Sequence, residues 1–351
     1  MKIHLVSGFL GSGKTTAITY ACRKLLQQGL FVGVITNDQG DRIVDGEFFN
    51  SIGIPERQVV NGCFCCNYHE LDESIRSLQE TNQPDIIFAE AVGSCTDVVA
   101  TVMKPLQEYR ENIAVTVSVL TDVRLLYMQL RGNTLLFEES INYIYFKQLE
   151  EAGIIVVNKV DLIGQEDLAA LQRVMRKRYS GKRIVYQNSL ADCTEWLDAL
   201  DVAAGELPSL EIDYAVYGAG EALLAWLDQE LQVTSPGNRA AEATLALTER
   251  IYTKINEEGY PIGHLKYLLD GRTKISYTAI KDEAAPSVDA LPASPSAILL
   301  INARVQTEPG MLSGLVSAAI SEIEKQYECT ISIRKQASFQ PGHPEPTYRK
   351  V

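Results

Sequence analysis

The sequence is short of positive charge. It contains 32 Lys and Arg residues against 45 Asp and Glu residues, which gives a formal net charge of -13. Proteins that bind DNA or RNA need clustered Lys and Arg side chains to displace counterions from the phosphates. This charge balance argues against a nucleic-acid-binding surface.

Long apolar runs are absent as well. The apolar stretch near Met1 is too short to cross a bilayer, and Gly8, Gly11, Ser12 and Gly13 interrupt it. No small-residue cleavage pattern follows this stretch, so nothing marks it as a secretory signal. We therefore expect a cytoplasmic protein without a membrane anchor.

Histidine is scarce, and cysteine is unevenly placed. The four histidines, at 4, 69, 264 and 343, form no tract. Of the seven cysteines, an odd number, Cys63, Cys65 and Cys66 fall within four positions. A disulfide between such close neighbours would be strained, so we expect thiols in a reducing compartment.

The first two hundred residues repeat a short β-branched apolar run, a loop and an amphipathic stretch, an order typical of parallel βαβ units. The runs are 3–6, 31–35, 86–89, 113–119, 154–157 and 183–186. Because each run is almost continuously apolar, helices should cover both faces of the sheet, and ligands should bind at the carboxyl ends of the strands. The sequence thus predicts an α/β fold with a doubly wound, mainly parallel sheet.

A chain of 351 residues leaves room for a second domain. We place the first domain at 1–205, a linker at 206–220 and a smaller α+β domain at 221–351. The stretch 221–234 is ambiguous between strand and helix. The other predicted elements are helices at 239–257 and 308–327, strands at 262–269, 273–278, 297–305 and 330–334, and a loop at 281–296.

The first run is followed by Gly8-x4-Gly13-Lys14-Thr15, a complete phosphate-binding loop motif. Its glycines let backbone N–H groups turn toward one anion, Lys14 adds charge near the β and γ phosphates, and the Thr15 hydroxyl can bind Mg²⁺. The preceding strand and a helix expected to begin at Thr16 argue against a chance glycine-rich turn. The predicted phosphate-binding residues are Gly8, Gly11, Ser12, Gly13, Lys14, Thr15 and Thr16.

Two carboxylates end other runs at the same predicted edge of the sheet. Glu90 is placed to be a second Mg²⁺ ligand or a partner of its water, with an exposed, solvated glutamate as the alternative. Asp38 lies in the segment 37–40, where a loop can sense the γ phosphate and position the attacking water. An ordinary Asx-turn explains Asp38 equally well. The catalytic candidates are therefore Lys14, Asp38 and Glu90.

The fifth run ends in Asn158-Lys159-Val160-Asp161. A carboxylate there can accept from the N1 and N2 hydrogens of guanine while the Lys stem covers the ring, and adenine lacks that donor pair. Ser189, after the sixth run, is a candidate for contact with the guanine carbonyl, with a strand-end cap as its alternative. The predicted base-binding residues are Asn158, Lys159, Asp161 and Ser189.

Cys63, Cys65 and Cys66 place three soft thiolate donors in one short segment, and such donors select Zn²⁺, Cu(I) or a similar ion. Three ligands leave a tetrahedral site incomplete, so the fourth position is open or filled by water, His69, Cys95 or another molecule. Buried structural cysteines and an iron–sulfur cluster are the alternatives. An incomplete site suits metal transfer.

Together these motifs resemble the CobW-type P-loop GTPases, a metal-chaperone family related to the GTPases that mature hydrogenase and urease. The resemblance is carried by residues 7–16, 37–40, 62–66, 90–93 and 158–161, in that order. It implies hydrolysis of GTP with Mg²⁺, binding of Zn²⁺ or another transition metal by the C-x-C-C thiolates, and nucleotide-controlled delivery to a client metalloprotein or cofactor-assembly protein. The second domain would recognise the client, and a homodimer is left open.

Two departures from the family pattern matter. Relatives usually carry hydroxyl residues where Ala91 and Val92 stand, so turnover is in question, and many have a histidine-rich storage segment that this chain lacks. A nucleotide-dependent activator of a corrinoid or metalloenzyme with little turnover is therefore an alternative. An ATP-using P-loop kinase or transferase is another, although it leaves the guanine motif and the thiols unexplained. Our hypothesis is that GTP·Mg²⁺ orders the loops around Asp38 and the three cysteines together.

Overall fold

The structure is a computed structural model and describes residues 1–40, 44–131, 136–188, 193–202, 205–280 and 293–351. It divides into two compact units. The first comprises the described residues of Met1–Asp41, Ile52–Gly220 and Pro344–Val351, and the second comprises those of Arg42–Ser51 and Glu221–His343. Two short segments, 44–51 and 344–351, thus pack with a different unit from the one that their place in the sequence suggests.

Seven parallel strands form the sheet of the first unit, in the order β3-β2-β4-β1-β5-β6-β7. They are β1 (Lys2–Ser7), β2 (Val32–Asn37), β3 (Glu56–Val59), β4 (Ile86–Glu90), β5 (Ala114–Asp122), β6 (Ile154–Asn158) and β7 (Arg183–Tyr186). Each of the six predicted runs forms a strand, so the doubly wound parallel fold is confirmed. The sequence did not predict β3, because its residues Glu-Arg-Gln-Val are few and mostly polar.

Helices connect these strands and complete the second unit. They are α1 (Lys14–Gln27), α2 (Val44–Ser51), α3 (Tyr68–Asn82), α4 (Lys104–Tyr109), α5 (Val123–Arg131), α6 (Glu139–Glu151), α7 (Gln165–Arg178), α8 (Thr194–Val202), α9 (Tyr214–Ala222), α10 (Ala240–Glu257) and α11 (Pro309–Tyr327). A π-helical turn, Val99–Met103, leads into α4. Among the described helices, none is both long and apolar enough to cross a membrane.

The segment 206–220, predicted as a linker, is partly helical. Its end lies in α9, so the interpretation of its glycines as a loop signal was wrong. A Cβ at Gly220 would lie 2.5 Å from the carbonyl oxygen of Ser140 in α6. Glycine is present because it lets the two helices approach closely, which composition alone does not distinguish from a turn signal.

The second unit is built on a five-stranded antiparallel sheet with the order β10-β9-β11-β8-β12. Its strands are β8 (Leu224–Thr234), β9 (Ile262–Leu269), β10 (Thr273–Tyr277), β11 (Ser296–Gln306) and β12 (Thr330–Phe339). The ambiguous stretch 221–234 is therefore mainly strand. The predicted loop 281–296 falls largely outside the described residues. One side of the sheet forms an apolar core with α10 and α11, which includes Leu227, Leu247, Ile301 and Val316.

The helix α2 belongs to this second unit although it follows β2 in sequence. Val44 is buried with Leu268 and Leu300, which alternate along β9 and β11 with the residues that face the main core. Asp45 pairs with both Lys266 and Lys274. Burial raises the pKa of Asp45, but the two ammonium groups outweigh it and hold that pKa well below its usual range.

Candidate functional site

The phosphate-binding motif forms the turn between β1 and α1. Gly8 has a φ of +130° and Gly13 a φ of +88°, conformations that glycine adopts without strain. A Cβ at Gly8 would lie 2.1 Å from the carbonyl oxygen of Leu120 in β5. Because Gly13 caps the helix, α1 begins at Lys14 rather than at the predicted Thr16, which lies exposed in the first turn. The turn therefore requires glycine for its backbone shape.

Lys14, Thr15 and Glu90 come together beneath this turn. The buried Lys14 ammonium donates to the carbonyl oxygen of Gly8 at 2.7 Å. The Thr15 hydroxyl donates to Oε1 of Glu90 at 2.8 Å. Parallel pairing of β1 with β4 sets Val6 opposite Glu90, which brings the carboxylate to the turn. A hydroxyl and a carboxylate are hard oxygen donors, so this pair fits Mg²⁺.

The residues after Glu90 offer no hydroxyl to that pair. Ala91 and Val92 are both only 3% exposed. A Cβ at Gly93 would lie 2.7 Å from a methyl carbon of Leu10, so this segment packs tightly against the phosphate loop. Ala91 and Val92 thus contribute apolar packing beside Glu90.

The predicted sensor segment forms a turn at the end of β2. Oδ1 of Asp38 accepts from the backbone N–H of Gly40 at 3.0 Å, which is an Asx-turn. The backbone N–H of Asp38 donates to the carbonyl oxygen of Val59 at 3.1 Å. The Asx-turn, which was the alternative explanation for Asp38, is therefore present. A role of Asp38 in positioning the attacking water stays a prediction.

The three clustered cysteines lie in residues 61–67, which we call the cysteine loop. Gly62 has a φ of +154°, and a Cβ there would lie 2.7 Å from Nδ2 of Asn67. The backbone N–H groups of Cys66 and Asn67 both donate to the carbonyl oxygen of Cys63, at 3.1 and 2.9 Å, which turns the chain sharply before α3. The loop thus gathers the sulfurs at one point.

The ligand atoms of Cys63, Cys65 and Cys66 lie within 4.8 Å of one another. In the described part of the chain, neither His69 nor Cys95 adds an atom to this group. Cys63 and Cys65 are joined as a disulfide, so the expectation of free thiols was wrong for this pair. The same turn that brings sulfurs near enough for one metal ion also brings two of them to bonding distance, and only the reduced pair can bind metal.

Asn37 joins the sensor segment to the cysteine loop, and sequence reasoning gave it no role. Its Nδ2 donates to the carbonyl oxygens of Val59 at 2.9 Å and Gly62 at 2.7 Å, while its Oδ1 accepts from the backbone N–H of Phe64 at 2.8 Å. From the sequence it was only the first residue of the sensor segment 37–40 and of the family motif there, without a role of its own. Its side chain is 7% exposed. These bonds make the end of β2 and the cysteine loop one connected structure.

The predicted base-binding motif follows β6. Nδ2 of Asn158 donates to the carbonyl oxygen of Ser12 at 3.2 Å, which ties the motif to the phosphate loop. Asp161 is exposed in a short 3-10 turn, Val160–Leu162. Ser189 lies outside the described residues. The structure therefore brings Asn158 to the phosphate loop and leaves the Asp161 carboxylate at the surface.

A further residue of this region, Asp122, was missed from the sequence although it ends β5. Its Oδ2 lies 3.0 Å from Nζ of Lys159 and 2.7 Å from a guanidinium nitrogen of Arg124. Burial raises the pKa of Asp122, but the Arg124 hydrogen bonds and the Lys159 charge outweigh it, so the net pKa is lowered. Lys159 has a φ of +61°, and its ammonium pairs with the Asp122 carboxylate.

Comparison with known proteins agrees with the resemblance seen in the motifs. The family described as CobW/HypB/UreG, nucleotide-binding domain, matches residues 2–186. The zinc chaperone CobW of a Sinorhizobium species is 28% identical over 202 residues, 51% of this chain and 56% of the relative. The zinc chaperone YeiR of Escherichia coli strain K12 is 28% identical over 189 residues, 53% of this chain and 54% of the relative. The match thus spans about half the length of these curated relatives.

A solved structure, the hydrogenase maturation factor HypB from Archaeoglobus fulgidus, is also similar. It aligns with 58% of this chain and 91% of that chain, at 18% sequence identity. The TM-score is 0.39.

Proposed function

This chain belongs to the family of CobW/HypB/UreG nucleotide-binding domains, and from that premise we propose that it binds and hydrolyses GTP and couples the nucleotide state to a metal carried for a client protein. The observation that carries the proposal is the hydrogen bonding of Asn37 to the cysteine loop at Gly62 and Phe64. Through these hydrogen bonds, the carboxyl end of β2, which begins the predicted γ-phosphate sensor, is joined to the cysteine loop.

In the nucleotide half, Lys14 would bind the β and γ phosphates, and Thr15 with Glu90 would hold Mg²⁺, which supplies charge neutralisation for phosphoryl transfer. Asp38 would position the attacking water once the loop closes on the γ phosphate. Asp161 would accept from guanine, with Asn158 and Lys159 supporting it. The phosphate loop, with Ser12 accepting from Asn158, supports this arrangement of phosphate and base sites.

In the metal half, the cargo would be Zn²⁺ or a similar soft ion bound by Cys63, Cys65 and Cys66. The clustering of their sulfurs supports this assignment, as do the names of relatives that are zinc chaperones. Three thiolates leave one position of a tetrahedral ion for the client's own ligand. We also propose that the second unit recognises the client protein.

The coupling would work through the shared structure at Asn37. Closure of the segment 37–40 on GTP·Mg²⁺ would fix the carbonyl of Gly62 and the N–H of Phe64, which flank Cys63. Loss of the γ phosphate would release that segment and loosen the thiolates together with it. Metal affinity should therefore be highest in the GTP state.

The test is a zinc titration of the reduced protein under GTP, GDP and no nucleotide, followed by native mass spectrometry. We expect one zinc ion per chain, bound more tightly with GTP, and no such ion after Cys63, Cys65 and Cys66 are changed to serine. Cys329→Ser, in the second unit, is the matched control and should bind as the unaltered chain does. Equal zinc affinity in all nucleotide states would remove the coupling from the proposal.

The base preference has its own test. Asp161→Ala should weaken GTP binding by about ten- to hundredfold, because a charged hydrogen-bond acceptor is lost, and should leave ATP binding unchanged. Asp198→Ala, an exposed carboxylate on α8, serves as the control. Tighter binding of ATP than of GTP by the unaltered chain would favour the kinase or transferase alternative.

A second function is favoured by the buried Ala91 and Val92 beside Glu90. Without hydroxyls there, the chain would act as a nucleotide-dependent activator of a metalloenzyme with little turnover of its own. Phosphate release by the unaltered chain, compared with Lys14→Ala, separates the two. A rate no higher than that of the variant would support the activator.

A further inference from the structure

The segment Pro344–Val351, which we call the strap, belongs to the same unit as the cysteine loop. Thr347 contacts two consecutive cysteines. Its backbone N–H donates to the carbonyl oxygen of Cys65 at 2.8 Å, and its hydroxyl donates to that of Cys66 at 2.7 Å. One residue of the strap therefore holds the peptide groups on both sides of Cys66.

The next residue of the strap packs against the helix that follows the cysteine loop. The Tyr348 ring lies 5.1 Å from the Tyr68 ring and 5.7 Å from the His69 ring, measured between centroids. The Tyr348 ring also lies 5.2 Å from the ring of Tyr109, which ends α4. Tyr68 and His69 form the start of α3, so the strap touches the cysteine loop and the helix that anchors it.

The end of the strap is fixed by charge and by backbone hydrogen bonds. Nε of Arg349 lies 2.7 Å from Oδ2 of Asp97, whose side chain is 1% exposed, and a second guanidinium nitrogen donates to the carbonyl oxygen of Leu210 at 2.7 Å. The backbone N–H of Lys350 donates to the carbonyl oxygen of Ala100 at 2.9 Å. The contacts at Thr347 are thus supported by a firmly seated segment.

We propose that the strap controls how fast the three thiolates give up their metal, with Thr347 as a positioning residue for the Cys65–Cys66 backbone. This inference rests on the proposed metal function. Metal leaves as incoming ligands displace the thiolates, and displacement is easier when the Cys65–Cys66 backbone that Thr347 holds is free to move. Groups that orient ligands from behind in this way tune metal affinity and exchange even though they never touch the ion.

The strap also restrains His69, which the sequence offered as a fourth ligand. With its ring against Tyr348, His69 is held in a packed aromatic group. Detachment of the strap would therefore change two things together: the freedom of the cysteine backbone and the freedom of this imidazole. The freer cysteine backbone favours exchange of the ion to another ligand set, whereas an imidazole that binds the fourth position would oppose it.

The experiment compares zinc transfer from the loaded, reduced, full chain to a chromophoric chelator in excess. Thr347→Val removes the hydroxyl donor but keeps the backbone donor, and we expect transfer about threefold faster, the effect of one modest hydrogen bond. Thr347→Ser restores the hydroxyl and should return the rate to that of the unaltered chain. Glu345→Gln, at an exposed position of the same strap, should have no effect.

A stronger variant detaches the strap. Tyr348→Ala combined with Arg349→Ala should speed transfer by about tenfold or more, because it removes the contacts that hold the strap, and Thr347 with it, in place. The absorption spectrum of the Co²⁺-loaded chain supplies a readout that a merely structural role would leave unchanged. It should shift in Thr347→Val and not in Thr347→Ser.

The outcomes separate this inference from the proposed function. If the unaltered chain binds no zinc through its three cysteines, both are overturned. If it binds zinc, but Thr347→Val and the double variant release it at the unaltered rate, only the role of the strap is overturned. A rate that rises equally in Thr347→Val and Thr347→Ser would also contradict it, because the hydroxyl would then be irrelevant.

Discussion

The phosphate loop takes its turn from the glycines and Lys14 of its own segment, whereas the cysteine loop, besides its own turn at Cys63, is held by Asn37 and Thr347, which lie far from it along the chain. In the phosphate loop, glycine conformations at Gly8 and Gly13 define the turn, and Lys14 donates back to it. In the cysteine loop, side chains from β2 and from the strap hold the backbone. A loop held from two sides can respond to changes on either side, which the proposed nucleotide control of the metal would require.

The largest effect is expected in the phosphate loop. Gly8→Ala places a Cβ 2.1 Å from a backbone oxygen at a φ of +130°, so the chain must shift. We expect the free energy of unfolding, measured with urea, to fall by about 3 kcal/mol or more, and nucleotide binding to be lost. Gly181→Ala, whose Cβ would have no atom within 4 Å, should change it by less than about 0.5 kcal/mol.

A smaller effect, confined to coupling, is expected at Asn37. Asn37→Ala removes three hydrogen bonds, two of them buried, and should lower the free energy of unfolding by about 2 kcal/mol. GTP should still bind, but zinc affinity measured by competition with a chelator should no longer depend on the nucleotide. Asn82→Ala, at the exposed end of α3, is the control. Full nucleotide dependence in Asn37→Ala would show that these hydrogen bonds do not carry the signal.

The smallest effect concerns residues 96–100, which include the contacts of the strap at Asp97 and Ala100. Glu151 accepts hydrogen bonds from Thr96 and from the backbone of Val99, and burial raises its pKa to about 8, with the nearby Asp97 adding to the rise. The folded chain therefore keeps a proton on Glu151 that the unfolded chain loses above its ordinary pKa of 4.5. The contribution to stability is full at low pH and is lost as the pH rises toward 8.

His4 opposes this trend at lower pH, because burial lowers its pKa from 6.5 to about 4. Between pH 4.5 and 6.5 the two groups act in opposite directions, and the His4 effect fades as the pH rises above 6.5, so the Glu151 effect dominates there. There the free energy of unfolding should fall by about 1 kcal/mol per pH unit. Glu151→Gln should abolish that fall in urea titrations at pH 6.5, 7.25 and 8; an unchanged slope would rule out this carboxyl as its source.

Much of the phosphate half could be read from the sequence, for a physical reason. Apolar runs specify buried parallel strands, and Gly8, Gly13 and Lys14 are required by local geometry, so motif and structure coincide. The cysteine loop was found by its residue types alone. What holds it was not found, because Asn37 reads only as the first residue of the sensor segment and Thr347 as an ordinary surface residue until the fold brings each of them to this loop.

The other differences between prediction and structure also arise where the local sequence pattern carries little information. The short strand β3 shows no alternation, and the glycines of α9 look like a turn although Gly220 is there for close helix packing. The pairing of Asp45 with Lys266 and Lys274, which fixes α2 in the second unit, joins residues that no local pattern connects. The pairing of Cys63 with Cys65 depends on the tightness of one turn.

The central claim is that hydrolysis and metal release are one event. The direct measurement is a single turnover of GTP by the zinc-loaded, reduced chain, with phosphate release and zinc transfer to a fluorescent chelator followed in the same sample. The account predicts that zinc leaves at the rate of phosphate release and stays bound with a non-hydrolysable GTP analogue. Zinc that leaves at the same rate with either nucleotide would contradict it.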